Sequence, residues 1–541
     1  MVTELLLGGL VYSSSVPDAT AIAVTDGVVT WVGSDSVGRA LHPDAQITDL
    51  DGRFVAPAFV DSHVHLTSTG LALEGLTLGE ATSRTDFLNR LAAAVANTPS
   101  DELIWGVGWD DSCWQHTDPD ERRCPTTAEI DAVVGTRPVY LARVDEHSAL
   151  ASGALRNAVP GVADAAGHDP HGPLIAGAHH LVRGAARALI TPAMRTRLQR
   201  RALDAAAAAG VVAVHENGGP DISGLDDFHA LAELDHGVIV RRLWGEPAHT
   251  AEHARALIEQ TGAHALAGDL FIDGAIGSHT AWLTEPYTDA PDTTGIAFLD
   301  PDTVESHIRA CTTAGIQAGF HVIGDAAAKA VVAAFAAVAA DVGTPALARC
   351  AHRLEHAEML DRGDAETLAR CDVIASMQPL FDAAWGGADQ LYSQRLGDER
   401  AATLNDFAML AKTGVALSFS SDAPVTAIDP WATIRAAVHH HRQDNAVSAR
   451  AAFAACTRGG WRAGGIHDGL TGTLEPGAPA HYAVFEVDDL VVAGSHSAVQ
   501  RWSTDPRSRV PALPDISPEA RLPRCVRTVA AGAEIYRGDD W

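Results

Sequence analysis

The sequence predicts an α/β fold: a (β/α)8 TIM-like barrel, with a small β-sandwich built from both termini and a large insertion after the first barrel strand. Three observations carry that prediction. Short apolar runs alternate with Ala-rich helical stretches through the middle of the chain. Both ends are rich in β-branched residues punctuated by turn signals. Finally, about 140 residues separate the first two strand-like runs, too many for a loop without structure of its own.

The first segment reads as all-β. Residues 20–33 hold two β-rich runs around Asp26-Gly27, a hairpin signal, and a further short strand ends near Leu50-Asp51-Gly52. The far end matches it, with runs at His481-Tyr-Ala-Val-Phe-Glu-Val, at Thr528-Val-Ala-Ala-Gly and at Glu534-Ile-Tyr. The expected division is therefore a composite sandwich of residues 1–54 and 465–541 around a barrel of residues 55–464, with the insertion over about 80–190. Barrel strands are predicted at Val55–Leu66, Val211–Glu216, Val238–Glu246, Asp269–Ala275, Gln317–Ile323, Arg349–Ala357, Val373–Gln378 and Ala416–Asp422. Helical patterns between them include Met194–Ala209, Thr303–Ala314, Ala326–Val342, Arg362–Arg370, Ala401–Thr413 and Pro430–Arg442.

Composition narrows the partners. The 541 residues carry 39 basic and 69 acidic side chains, a formal charge of −30, which repels a phosphate backbone and argues against nucleic acid. Lys329 and Lys412 are the only lysines. The 7 cysteines contain no CxxC pair, which suits reduced thiols rather than a disulfide frame or thiolate zinc site. The N-terminus has no basic n-region and carries Glu4, against a signal peptide. No apolar run reaches the roughly 18 residues of a membrane span. A soluble, cytoplasmic protein acting on a small molecule is the expectation.

The chemistry is expected at the C-terminal ends of the barrel strands, where such folds place their active sites. Those ends carry Asp61-Ser-His63-Val-His65, His215-Glu216, Asp269 and Asp273, His321, Glu355-His356 and Ser421-Asp422. His63 and His65 are two apart, so on a strand both imidazoles face one side and can share a metal ion. With His321, His356 and Asp422 they make a nitrogen- and oxygen-rich set suited to zinc or a similar cation. The triplet His439-His440-His441 reads as solvated, on a helix after strand eight.

Ala56-Pro-Ala-Phe-Val-Asp61-Ser-His63-Val-His65 resembles the strand-one motif of the metal-dependent amidohydrolase superfamily. The resemblance extends to its YtcJ-like branch, which includes N-substituted formamide deformylases. Gly108-Trp-Asp, Arg143-Val-Asp-Glu-His147-Ser, Phe271-Ile-Asp-Gly-Ala-Ile-Gly-Ser278, His321-Val-Ile-Gly-Asp325-Ala, Arg353-Leu-Glu-His356-Ala, Ser376-Met-Gln-Pro379 and Ser421-Asp-Ala-Pro-Val425 follow in that branch's order. The resemblance implies one or two divalent ions, zinc by preference, ligated by His63, His65, His321, His356 and Asp422. It also implies Asp422 as the base that takes a proton from the attacking water and returns it to the leaving amine.

One departure from the family bears on the metal. A strand-four lysine, carboxylated by CO₂, often bridges two ions in relatives, and here that place reads Gly268-Asp269-Leu-Phe-Ile-Asp273-Gly. No carboxylated lysine is expected, since Lys329 and Lys412 fall on flanking helices. Asp269 and Glu216 are the alternative bridging carboxylates, and a single ion at His63, His65, His321 and Asp422 is favoured, with His356 beside it activating substrate. Glu216, Trp109, Asp110, Arg143 and His147 are candidates for the pocket wall. His279 stands where relatives often have an arginine, so no substrate-anion contact is carried over to it.

The expected activity is hydrolysis of a C–N bond in a non-peptide amide, formamide or related cyclic amide. Two alternatives stay open: a deaminase of a nucleobase-like ring, and a catalytically silent scaffold. The first is disfavoured by Gly324, where cytosine-type deaminases place a glutamate, and the second by the full set of ligands. A homodimer is left open by the resemblance.

Overall fold

The computed structural model describes residues 2–99, 103–114, 116–491 and 511–541. Its centre is a TIM-barrel-like ring. Phe59–Val64, Val211–Gly218 and Ile239–Trp244 form one parallel ladder, with the second strand in the middle. Gly319–Val322, Arg353–His356, Ile374–Met377 and Ala416–Phe419 form a second, in chain order. Single parallel bridges Leu243–Ala265, Leu266–Ala318 and Phe271–His321 join the two ladders, and Val64–Ala423 joins the eighth crossing to the first. At that last seam His65 N–H donates to Ala423 O and Asp422 N–H to His63 O, both at 2.9 Å.

The fourth crossing departs from the expected strand Asp269–Ala275. Gly268 takes φ +84, where a Cβ would collide with the Asn217 side chain, and the chain turns so tightly that Leu270 N–H reaches Gly268 O at 2.8 Å. That bend trades a ladder for a carboxylate, Asp269, aimed into the ring. The expected strand Val55–Leu66 also divides. Phe54–Pro57 leaves the ring to pair antiparallel with Tyr482–Glu486, while Phe59–Val64 stays in it, and by Leu66 the chain is helical, to Glu74.

The outer helices Pro192–Ala208, Pro301–Ala314, Asp325–Val342 and Arg362–Cys371 fall within two residues of expectation at each end. Two others are shorter. Phe407–Thr413 starts only after Asn405 at φ 54, with Asp406 capping Met409 N–H, and Pro430–Val438 stops before the histidine triplet. No helix among the described residues is long and apolar enough to cross a membrane.

Both termini build two further sheets. One runs Val28–Gly33, Ala21–Thr25, Thr3–Leu7, Gln46–Asp49; the other runs Leu10–Val11, Phe54–Pro57, Tyr482–Glu486, Arg524–Ala530, Ala533–Arg537. The hairpin at Asp26-Gly27 forms as read, with both residues at positive φ. Leu6, Ile22 and Val29 from one sheet share an apolar cluster with Val55, Val484 and Val526 from the other. Between the first two ring strands the chain makes a five-stranded sheet from Leu76–Thr77 to Leu174–Ile175, then the helix Ala176–Arg187.

Phe59 ties ring to terminal sheets: its ring lies 5.3 Å from Trp431, 5.7 Å from Phe453 and 5.8 Å from Phe485, fully buried. Phe59→Ala removes that joint and is expected to destabilise the protein by about 3–5 kcal/mol, read as a lowered denaturant midpoint.

Candidate metal centre

The ends of the ring strands bring six side chains to one place. His63 Nε2 lies 3.4 Å from Asp269 Oδ1 and 3.3 Å from Asp422 Oδ1. His65 Nε2 lies 3.1 Å from Asp269 Oδ2 and 3.2 Å from Asp422 Oδ1. On the far side of Asp269, His321 Nδ1 stands at 3.5 Å and His356 Nε2 at 3.7 Å from Oδ1. Asp269 thus touches all four imidazoles, one oxygen turned to His65 and the other to the remaining three.

Three of these histidines are oriented from behind. His63 Nδ1 meets Glu355 Oε2 at 3.0 Å, His321 Nε2 meets Gly274 O at 3.2 Å and His356 Nδ1 meets Gln378 Oε1 at 2.8 Å. Glu355 and the carbonyls are acceptors, so each ring carries its proton on the outer nitrogen and turns a lone pair inward. Gln378 is itself set by donating Nε2–H to Ser420 Oγ at 3.0 Å. Glu355 is gripped by Arg353 through both carboxylate oxygens, and Arg353 also donates to Ser62 O at 2.7 Å and Ser376 Oγ at 3.0 Å. Burial alone would raise the Glu355 carboxyl; the guanidinium and the His63 bond overcome it and hold it down at about 2. Glu355 and Gln378 were not singled out as site residues from the sequence, because their role depends on cross-strand register.

His63 Nε2, His321 Nδ1, Asp269 Oδ1 and Asp422 Oδ1 are buried and have no hydrogen-bond partner. Buried polar atoms are rarely left so, and four lone-pair donors facing one another fit a divalent cation between them. Without a cation the charges compensate differently. Burial opposes protonation of His63 and His65, but the two carboxylates outweigh it, lifting His65 to about 9, while Asp269 is held well below the usual carboxylate range by its histidines. Burial and neighbouring His356 push His321 down. The backbone is strained here too: His356 sits at φ 66 and Asp422 at φ 55, a region that costs a non-glycine residue on the order of 1 kcal/mol or more.

The candidates for the pocket wall separate. His147 lines the cavity with His321, His356 and Asp422, its ring 4.9 Å from that of His321. Trp109, Asp110 and Arg143 stand behind the wall. Trp109 is buried with Nε1–H bonded to Leu141 O at 2.9 Å, and Arg143 pairs with Asp110 at 2.6 Å and Asp145 at 2.8 Å. Through Arg143 they hold Asp145, which does reach the cavity. Glu216, pushed up to about 7 by burial, accepts Leu66 N–H at 2.7 Å and fixes the helix start beside His65 instead of touching Asp269. Lys329 is paired with Asp361 and Asp364 between outer helices. The histidine triplet divides: His439 and His441 are exposed as expected, whereas His440 is buried, and both His440 and His441 close on Asp382, at 3.2 Å for His440 Nε2. Asp382 draws them in because it lies on the helix Pro379–Trp385 and is itself buried.

The profile of the Amidohydrolase family matches residues 46–536. The chain belongs to that family. Among relatives of this amidohydrolase, the Protein LONG AFTER FAR-RED 3 of Arabidopsis thaliana is 29% identical over 90% of this chain and 88% of its own. The putative amidohydrolase YtcJ of Bacillus subtilis is 29% identical over 80% of this chain and 82% of its own. The crystal structure of an uncharacterized metal-dependent hydrolase from Pyrococcus furiosus superposes with a TM-score of 0.68 at 26% identity, covering 90% of this chain and 99% of that one. The chain is thus a YtcJ-like amidohydrolase, with an α/β TIM-barrel-like fold.

The Arg353–Glu355–His63 line predicts that Glu355→Gln weakens metal retention by about 10–100-fold, measured by competition with a chromophoric chelator. Unchanged retention would show that Glu355 does no more than fill space.

Proposed function

We propose that this amidohydrolase hydrolyses a C–N bond in a non-peptide amide, formamide or related cyclic amide at a zinc-type centre. The observation that carries the reading is the convergence of four buried, unpartnered donor atoms at the mouth of the ring. His63, His65 and Asp422 would hold one cation and His321 and His356 a second, with Asp269 shared between them. Six donors exceed the four of a tetrahedral ion, and Asp269 faces both groups, which supports two ions over the single one favoured from sequence. When bound, such a cation brings the pKa of water towards about 7 and polarises a carbonyl.

The chain's own residues supply the rest. Asp422, on the wall of the cavity, takes the proton of the attacking water and delivers it to the leaving nitrogen. His147 is held neutral, burial pushing it well below the usual histidine range, and donates to the developing oxyanion. The positive φ of Asp422 directs its side chain towards His63 and His65, whose Nε2 atoms lie 3.3 Å and 3.2 Å from its Oδ1. A closed barrel with a terminal β-sandwich, divided at about 54 and 465, is the architecture that goes with this reading. The deaminase alternative loses ground because Asp325, one residue beyond Gly324, is exposed to Thr284 and bonds its N–H at 2.9 Å, away from the cavity.

Chelation is expected to abolish amide hydrolysis, with zinc, manganese or iron restoring it. Asp422→Asn should lower kcat by about 10²–10⁴-fold with metal still bound; full turnover in that variant would remove Asp422 as the base. Metal analysis of the purified chain is expected to find two ions and Asp269→Asn to lose at least one. A wild-type value of one would return the centre to a mononuclear form.

A further inference from the structure

The cavity above the metal-ligand side chains has two lobes of opposite character. Asp145, His147, His321, His356 and Asp422 line both. One lobe is walled by Ile276, Ile323, Phe381, Trp385, Leu391 and Tyr392. The Phe381 ring lies nearly parallel to His356, 6.0 Å away, and the helix carrying Phe381 and Trp385 is pinned by the Asp382 contacts to His440 and His441. The other lobe is edged by Ser68, His180, Arg183 and Arg187.

Those two arginines are buried with neutral partners: Arg187 lies over the Trp105 ring, 5.6 Å from its centroid, and both make only uncharged hydrogen bonds. Arg183 is 5% exposed and Arg187 8%. Arg183 donates to two main-chain carbonyls, Glu146 O at 3.4 Å and Asp221 O at 2.6 Å; Arg187 donates to Ser68 Oγ at 2.7 Å. The Nε of each is buried without a partner, and among the described residues neither is ion-paired to a carboxylate. The neighbouring acids are engaged or disfavoured as anions: Asp227 is bonded to Arg195 Nε at 3.0 Å and to Thr67, and burial raises the Glu146 carboxyl. Buried guanidinium groups without a counter-charge are costly, and a planar fork suits a carboxylate better than any neutral group.

We propose that the polar lobe is a carboxylate-binding subsite formed by Arg183 and Arg187, so that the substrate is an amide with a carboxylate on one side of the scissile bond and an apolar, ring-sized group on the other. This rests on the amide-hydrolase reading above for the reaction, though not for the binding. The amide carbonyl sits at the shared wall, the carboxylate reaches the helix Ala176–Arg187, and the apolar group stacks in the lobe of Phe381 and Trp385. Hydrolysis adds the water oxygen to the acyl carbon and its proton to the nitrogen, releasing one acid and one amine, as for an N-acyl amino acid.

The test uses N-benzoylglycine and its uncharged amide, N-benzoylglycinamide, titrated calorimetrically into the full-length, metal-loaded protein carrying Asp422→Asn to slow turnover. The acid is expected to bind at least tenfold more tightly than the amide. Arg183→Met with Arg187→Met, of similar length, should erase that preference, and Arg187→Lys alone should keep part of it. Circular dichroism establishes folding, and each single Met variant, if the double one does not fold, should reduce the preference. Equal or undetectable binding of the two probes overturns the subsite, as does a preference that survives both Met substitutions, which would put the carboxylate on the metal. A preference lost with the arginines, in an enzyme whose parent hydrolyses no amide, supports the subsite and refutes the reaction; amide hydrolysis without the preference does the reverse.

Discussion

A single buried carboxylate, Asp269, holds the centre of this molecule together. Four imidazoles from three ring crossings lie against it, and among the described residues no other side chain pairs with all of them. Imidazoles packed this tightly, with their inner lone pairs unmet, repel unless something positive stands among them. The architecture around them resists that repulsion. Arg353 and Glu355 brace His63, Gln378 braces His356, the Gly274 carbonyl braces His321, and strained backbone fixes His356 and Asp422. The energy stored in these arrangements is recovered when a cation arrives, which is why a metal site can be more ordered than its local stability explains.

How the ring supplies these residues explains what the sequence could and could not disclose. His63, His65, His321, His356 and Asp422 were legible because each stands at the end of an apolar run, where geometry leaves one face to aim at. The outer helices were legible for a similar reason, as long Ala-rich periodic stretches bounded by Gly or Pro. Asp269 was visible only as a candidate. Its part depends on the left-handed turn at Gly268, where the Asn217 side chain from a different strand leaves no room for a Cβ. The orienting residues Glu355 and Gln378 were hidden in the same way, since a hydrogen bond across strands follows from register, which local pattern does not carry.

Charge misled in both directions. Arg143 and Asp110 look like pocket residues in sequence because they stand in motifs of the resemblance within the insertion, yet they satisfy each other behind the wall. The histidine triplet looks like a solvated face, and His439 and His441 are exposed, yet a buried aspartate on the preceding βα unit draws His440 inward. Arg183 and Arg187 drew no notice on an amphipathic helix, where a basic residue is ordinarily solvated. Their burial beside the cavity is a property of how that helix docks.

The pairing of Phe54–Pro57 with Tyr482–Glu486 has a consequence for biosynthesis. The strand Phe54–Pro57 presents an uncovered edge until the chain has grown by more than four hundred residues, which at about 5–20 residues per second is a wait of roughly 20 to 85 seconds. During that interval the edge of Phe54–Pro57 is a template for misplaced pairing. The nascent chain therefore needs either a holding partner or a fast-forming ring to occupy it, and release of a polypeptide truncated before Tyr482 would leave an aggregation-prone product even though every metal-facing residue had already been made.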